Sequence, residues 1–225
     1  MALVTWKALC IDALDVAAVE GFWAHALEWD VGRLDDGDAV LRGPGMGEEM
    51  WVNLVPEERT VKQRVHLDLR AESLERFAGR ERLTAEGEFP WTVLADAEGG
   101  ELCVFTYDEL PERRLKDVVV DAADHVAISQ WWADVLGGRL THADDGYSHL
   151  DEPPGSTLES IDFVPVPEPK TVKNRIHWDV TLTPGSSVAD LVAAGATVLR
   201  ARDDEIGWTV LADPEGNEFC AFGGR

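Results

Sequence analysis

Two short runs carry the residue types from which chemistry is built. In Arg64-Val-His-Leu-Asp68 and again in Arg175-Ile-His-Trp-Asp179, a guanidinium, an imidazole and a carboxylate recur at every second position. Side chains at that spacing in a β-strand leave from one face. Each run therefore predicts a polar row, Arg64, His66 and Asp68 or Arg175, His177 and Asp179, with apolar residues on the opposite face. A carboxylate beside an imidazole raises its basicity and a guanidinium lowers it. Such a row can move a proton, bind a polar ligand, or simply hold the strand through a structural network. Two further runs, Glu101-Leu-Cys-Val-Phe105 and Glu218-Phe-Cys-Ala-Phe222, put Cys103 and Cys220 on a strand face with a carboxylate and an aromatic ring. A thiol becomes a nucleophile only where a base or a positive field favours the thiolate. His66 and His177 are the bases at hand, and a buried inert thiol is the alternative. Cys10 has no partner in the sequence and reads as core. His25, His125, His142 and His149 stand outside any constellation.

These runs come in pairs because the chain repeats itself. Trp91-Thr-Val-Leu-Ala-Asp-Ala-Glu-Gly-Gly-Glu-Leu-Cys-Val-Phe105 aligns with Trp208-Thr-Val-Leu-Ala-Asp-Pro-Glu-Gly-Asn-Glu-Phe-Cys-Ala-Phe222, with eleven of fifteen positions identical. Thr60-Val-Lys-Gln-Arg-Val-His-Leu-Asp68 aligns with Thr171-Val-Lys-Asn-Arg-Ile-His-Trp-Asp179, with six of nine identical. Order and spacing hold along the whole length, which marks a duplication. The seam falls in the polar stretch 108–116 around Pro111. The copies are accordingly expected as domains over 1–109 and 117–225.

The elements that must position the polar rows follow from local patterns. Residues 7–12 and 117–122 read as strands, and Asp15 and Asp124 as N-caps of the helices after them. Asp12 and Asp121 read as cap residues too. Val19, Phe22, Trp23, Ala26 and Leu27 form an apolar helical stripe, which Ile128, Trp131, Trp132, Val135 and Leu136 repeat. A second unit starts at each polar row, with a short helix after Ser73 in the first copy. It closes in a hairpin across the turns Asp96-Ala-Glu-Gly-Gly100 and Asp213-Pro-Glu-Gly-Asn217. Each copy thus reads as two βαβββ modules, an α+β pattern with helices on one face of mostly antiparallel sheet. The opposite, polar face is expected to line a cavity within each copy, with Trp91 and Trp208 at its edge as ligand-binding aromatics.

The run from Val166 to Asp179, taken with Leu211-Ala-Asp-Pro-Glu-Gly-Asn-Glu-Phe-Cys220, resembles the glyoxalase-like branch of the vicinal oxygen chelate superfamily. The first copy carries the same marks with Ala97 and Gly100 in place of the turn's Pro and Asn. The resemblance implies two tandem glyoxalase-like domains, each built from paired βαβββ modules. It also implies metal-ligand positions on the first and last strands of the modules. His66 and His177 fall at one of these. The first-strand position falls on or near Ala8 and Asp117, the mid-domain position near Asn53 and Asp162, and the closing position on Cys103 and Cys220. One imidazole and one thiol are too few for a metal that wants three protein ligands. The first copy is therefore expected to hold no metal. In the second copy Asp117, Asp162 and His177, with Cys220, are the weak candidates for a divalent ion, and no other cofactor is implied.

Composition sets the outer limits. Acidic residues outnumber basic ones 43 to 20, a formal net charge of -23. That charge repels nucleic acid and anionic membranes. Three scattered cysteines suit a reducing compartment. No basic leader and no long apolar run stands in the sequence, which reads as cytoplasmic. The expected function is binding of a small organic molecule without a full metal site, in the manner of a resistance protein, with a homodimer as the one further partner considered. The alternative is a lyase, isomerase or dioxygenase-like enzyme, metal-dependent or assisted by His and Cys. His177, Asp179 and Cys220 are the expected catalytic set. Arg64, His66, Asp68, Cys103 and Arg175 are expected to bind the ligand. The second copy is ranked as the more functional, because Asp117 stands where the first copy has Ala8.

Overall fold

The computed structural model describes residues 2–223. The chain opens with β1 (Val4–Ala13), α1 (Val16–Leu27), β2 (Asp30–Arg33), β3 (Ala39–Arg42) and β4 (Glu49–Leu54). The next module holds β5 (Val65–Ala71), a 3-10 turn (Leu74–Phe77), β6 (Thr92–Ala95) and β7 (Glu101–Thr106). The second copy gives β8 (Leu115–Ala122), α2 (His125–Leu136), β9 (Arg139–His142), β10 (Ser148–Asp151) and β11 (Ser160–Pro165). It ends with β12 (Ile176–Leu182), α3 (Val188–Ala193), β13 (Thr197–Arg200), β14 (Trp208–Ala212) and β15 (Glu218–Phe222).

The helices start where the caps require. Asp15 accepts a hydrogen bond from the Ala18 amide and Asp124 from the Ala127 amide, each at 3.0 Å. Asp12 and Asp121 are not caps. They sit at the ends of β1 and β8, where Lys173 pairs with Asp12 and Lys62 with Asp121. The helix expected after Ser73 tightens to one 3-10 turn, while its counterpart α3 holds a full capping box through Ser187 and Asp190. Trp23, Trp132 and Trp178 are fully buried, and Trp132 lies 4.9 Å from Trp178 between ring centroids. Trp131, expected in the core, is only partly buried and donates its indole N–H to the Ala194 carbonyl.

The sheets are not built copy by copy. The first sheet runs β13-β14-β15-β12-β1-β4-β3-β2 and the second β6-β7-β5-β8-β11-β10-β9. Each joins one module of the first copy to one module of the second. The joints are antiparallel, β1 against β12 and β5 against β8. Each sheet also contains two parallel pairs, β1 with β4 and β12 with β15, or β8 with β11 and β5 with β7, so the sheets are mixed. The expectation that each copy encloses its own site is overturned by this exchange. The boundaries of the repeat in sequence are not the boundaries of the sheets in space.

Both joints carry the same irregularity. Trp6 and Ala8 oppose successive residues Val180 and Asp179, so Lys7 is extra. Leu115 and Asp117 oppose Leu69 and Asp68, so Lys116 is extra. A β-bulge of this kind breaks the two-residue alternation and lets neighbouring side chains share a face. It delivers a lysine to the polar face of each sheet.

Candidate functional sites

On the first sheet, the residue registers bring Trp51 (β4), Cys10 (β1) and His177 (β12) into one row. Ala8, Asp179 and Cys220 (β15) form the next. The apolar partners Leu9, Met50, Ile176 and Trp178 point the other way into the core. Lys7 Nζ lies 3.2 Å from Asp179 Oδ2 and 4.3 Å from the centroid of Phe222. Cys10 Sγ lies 3.4 Å from Asp179 Oδ1. Trp208 stacks on Phe222 at 5.3 Å and closes this side. Burial pushes the Asp179 carboxyl above its usual range, and Lys7 opposes that shift. Burial lowers the His177 imidazole, leaving it neutral at pH 7. It pushes the Cys220 thiol up to about 12, with the Asp179 charge adding to the effect.

On the second sheet the matching rows are Asp162 (β11), Val119 (β8) and His66 (β5), then Ser160, Asp117, Asp68 and Cys103 (β7). Here Lys116 pairs with Asp117, not with the carboxylate beside the histidine. The Ser160 hydroxyl lies 3.0 Å from Asp117 Oδ1 and 2.5 Å from Asp162 Oδ1, tying the two acids together. His66 Nε2 is 3.6 Å from Cys103 Sγ and 3.5 Å from Asp68 Oδ1. Burial pushes the Asp68 carboxyl up to about 8, reinforced by the charge of Asp117. The same two causes take Asp162 to about 6. Burial lowers His66 to about 4, with Lys62 adding to the shift. Burial and then Asp68 drive the Cys103 thiol well above its usual range. Trp91 packs on Phe105 at 5.2 Å at one side, and Tyr147 on His149 at 5.7 Å at the other.

Several sequence expectations move accordingly. Asp117 and Asp162 do not converge with His177 and Cys220. They lie on the second sheet with His66, Asp68 and Cys103, because β8 pairs with β5 and not with β12. The ranking of the second copy over the first therefore loses its ground. Cys10 is not core. It faces the polar side between His177 and Trp51. His149, unassigned in the sequence, is the register partner of Asp162 and lies 2.7 Å from Asp151 Oδ1. His125 and His142 share the buried Ser148 hydroxyl, each at 2.8 Å. The mid-domain position in the first copy is Trp51, with Asn53 one step along the same face. Strand alternation alone does not single out Lys7 or Lys116 as site residues. The signal for them is a lysine at the same place in the first strand of each copy, Lys7-Ala-Leu-Cys10 and Lys116-Asp-Val-Val119.

Arg64 and Arg175 leave these rows. They line a cleft of about 1130 Å³ between the segments 57–64 and 168–175. The Arg64 guanidinium donates to the carbonyls of Glu168 and Asp121. Arg175 reaches the Glu57 carbonyl and Glu98. Lys62 and Lys173 face the same cleft and are paired with Asp121 and Asp12. The two arginines thus tie one copy's loop to the other's strand, and none of the histidines or cysteines lines this cleft.

Among the described residues, two groups have the donors and closeness that a metal ion needs. The ligand atoms of Cys10, His177 and Asp179 lie within 4.8 Å of one another, as do those of His66, Asp68 and Cys103. The first group fits poorly, because the Lys7 ammonium already sits on Asp179 and repels a second cation. The second group fits. Asp68 Oδ1 is buried without a hydrogen-bond partner among the described residues, His66 Nε2 lies 3.5 Å from it, and three protein donors suit a catalytic ion that keeps an open position.

With the geometry in place, comparison with known proteins identifies the architecture. The sequence matches the family described as Glyoxalase-like domain twice, over residues 8–105 and 117–222. The chain belongs to this family. The fold is that of the vicinal oxygen chelate superfamily, and solved structures of this family's fold agree. Glyoxalase I from Zea mays superposes with a TM-score of 0.70 at 14% identity, covering 97% of this chain and 92% of that one. A putative dioxygenase from Bacillus subtilis subsp. subtilis str. 168 gives 0.65 at 10% identity, covering 99% and 86%. At such identities the likeness is one of fold. No curated protein sequence matches the chain. No helix among the described residues of this glyoxalase-like protein is long and apolar enough to cross a membrane.

Proposed function

We propose that this tandem glyoxalase-like protein binds a small organic molecule on the polar face of each sheet. The observation that carries this reading is the set of polar atoms left without partners there. His66 Nδ1, Asp68 Oδ1 and His177 Nδ1 are all buried and unpaired among the described residues. Leaving such a group unsatisfied costs about 1–3 kcal/mol, and a folded protein keeps that cost where a ligand relieves it. The partly exposed rings of Trp51, Trp91, Trp208 and Phe222 stand beside these polar floors, in the mixture of apolar walls and few polar groups that ligand sites show. The neutral imidazoles of His66 and His177 can accept a proton from a bound hydroxyl, and so the same floors serve a lyase or isomerase reaction as the alternative.

Titration of the full chain with 4-nitrophenol by calorimetry tests the binding reading. Saturable binding that weakens about tenfold on Trp208→Ala, with the fold intact by circular dichroism, is expected. No binding to either site would overturn it.

A second reading is favoured by the cluster of His66, Asp68 and Cys103. A divalent ion held there would act as a Lewis acid towards ligand oxygens. Elemental analysis of the purified full chain decides between the two. About one zinc or similar ion per chain, lost in His66→Ala and kept in His177→Ala, would establish the metal reading.

A further inference from the structure

Lys7 and Lys116 occupy the same bulge, yet they do different work. Lys7 crosses to the carboxylate beside the histidine. Its ammonium is seated on the buried Asp179 and under the Phe222 ring. On the second sheet Asp117 replaces Ala8 and takes Lys116 for itself. Lys116 stays near its ring, 5.1 Å from the Phe105 centroid. Asp68, the counterpart of Asp179, is only 6% exposed, and its Oδ1 has no hydrogen-bond partner among the described residues. Asp162 adds a further carboxylate where the first sheet has Trp51. Three acids, Asp68, Asp117 and Asp162, thus face one ammonium, whereas the first-sheet site matches one acid with one ammonium.

We propose that the second-sheet site takes a small organic ammonium ion, seated on Asp68 and Asp162 in the place that Lys7 fills beside Asp179. The first-sheet site, already neutralised from within, takes an uncharged ligand. This inference rests on the small-molecule reading above, without a resident metal, and names the ligand class of one of its two sites. A buried carboxylate without a counter-ion is costly, and Asp68 accordingly holds its proton up to about 8; an incoming ammonium takes that proton's place, so binding at pH 7 releases a proton while Asp162 supplies the second carboxylate. The rings of Trp91 and Tyr147 add the cation–π attraction that organic cations find in aromatic surroundings. The first sheet supplies the template, since the arrangement sought from an outside ligand is already made there by a side chain.

The test uses the full chain after chelator treatment, with benzylamine, which is a cation at pH 7, and benzyl alcohol, its neutral analogue. Calorimetry should show benzylamine binding at one site at least tenfold more tightly than benzyl alcohol. Asp68→Asn and Asp162→Asn should each remove most of that preference. Asp117→Ala should release Lys116 onto Asp68 and abolish benzylamine binding, as Ala8 does for the first-sheet site. Equal affinity for the two compounds, or a preference that survives all three substitutions, would overturn the inference. So would benzylamine binding that appears only after zinc is added. Binding of 4-nitrophenol without any binding of benzylamine would overturn this inference alone. Failure of all three compounds would overturn the small-molecule reading with it.

Discussion

The two sheet faces share a backbone plan, a histidine, an aspartate, a cysteine and a bulged lysine, and differ in three neighbours: Ala8 against Asp117, Trp51 against Asp162 and Cys10 against Val119. Where Ala8 stands, the lysine is free to neutralise the aspartate of the His–Asp pair. Where Asp117 stands, the lysine is diverted and that aspartate has no lysine paired with it among the described residues. A carboxylate at the position of the Ala8 methyl thus changes the partner of a second residue, and Asp162 in the place of Trp51 adds to the charge of the site. Duplicated sites diverge here through competition for a shared counter-ion, with the histidine and the thiol unchanged.

The comparison can be broken most forcefully at Lys7. Replacing it with methionine leaves Asp179 buried without its partner, and removing one member of a buried pair costs about 3 kcal/mol. A lower urea midpoint with an unchanged slope is expected, and most of it should return in the double variant Lys7→Met with Asp179→Asn. No loss at all would show that Lys7 does not hold Asp179.

A smaller effect, with a distinct pH signature, is expected at Asp68. Its folded carboxyl titrates at about 8, above the usual value of an unfolded aspartate. Between those values the native state binds more protons than the unfolded chain, so stability falls as pH rises from about 4 to about 8. Asp68→Asn removes that slope. The variant should match the wild type near pH 4 and melt at a higher temperature at pH 9, with the gap opening between about pH 4 and about pH 8. The same change at Asp179 strands Lys7 and should give no such gain. A flat difference across pH would mean that Asp68 is not the unpaired acid.

The smallest effect probes what the copies keep in common. Asp15→Ala and Asp124→Ala each remove one N-cap, at about 1 kcal/mol apiece. Equal losses would confirm that the scaffolds match while the sites differ, and a clear inequality would show that divergence has reached the helices.

Much of this was legible in the sequence, and the reasons divide cleanly. Repetition, caps and alternation are local, so the copies, both long helices and the polar rows of β5 and β12 follow from the residues themselves. The exchange of sheet partners is not local. The alternation of Val65 to Arg70 says which face is polar, but nothing in it says whether β1 or β8 lies alongside. Asp117 and His177 are near in sequence pattern and apart in space for that reason. The bulges were hidden because they suspend the alternation used to read the strands. Neither the placing of Lys7 and Lys116 on the polar face nor the contact of Cys10 with Asp179 follows from the strand pattern for that reason.

The exchange of strands has a consequence for the history of such a chain. Were the copies separate and identical polypeptides, each would lend one module to each sheet of a symmetrical pair, and both sites would have the same residues. A substitution at the position of Ala8 would then alter both sites at once. Joining the copies through residues 108–116 breaks that bond between the two fates. Ala8 and Asp117 are now separately inherited letters, and one site can explore a new ligand while the other keeps its old one.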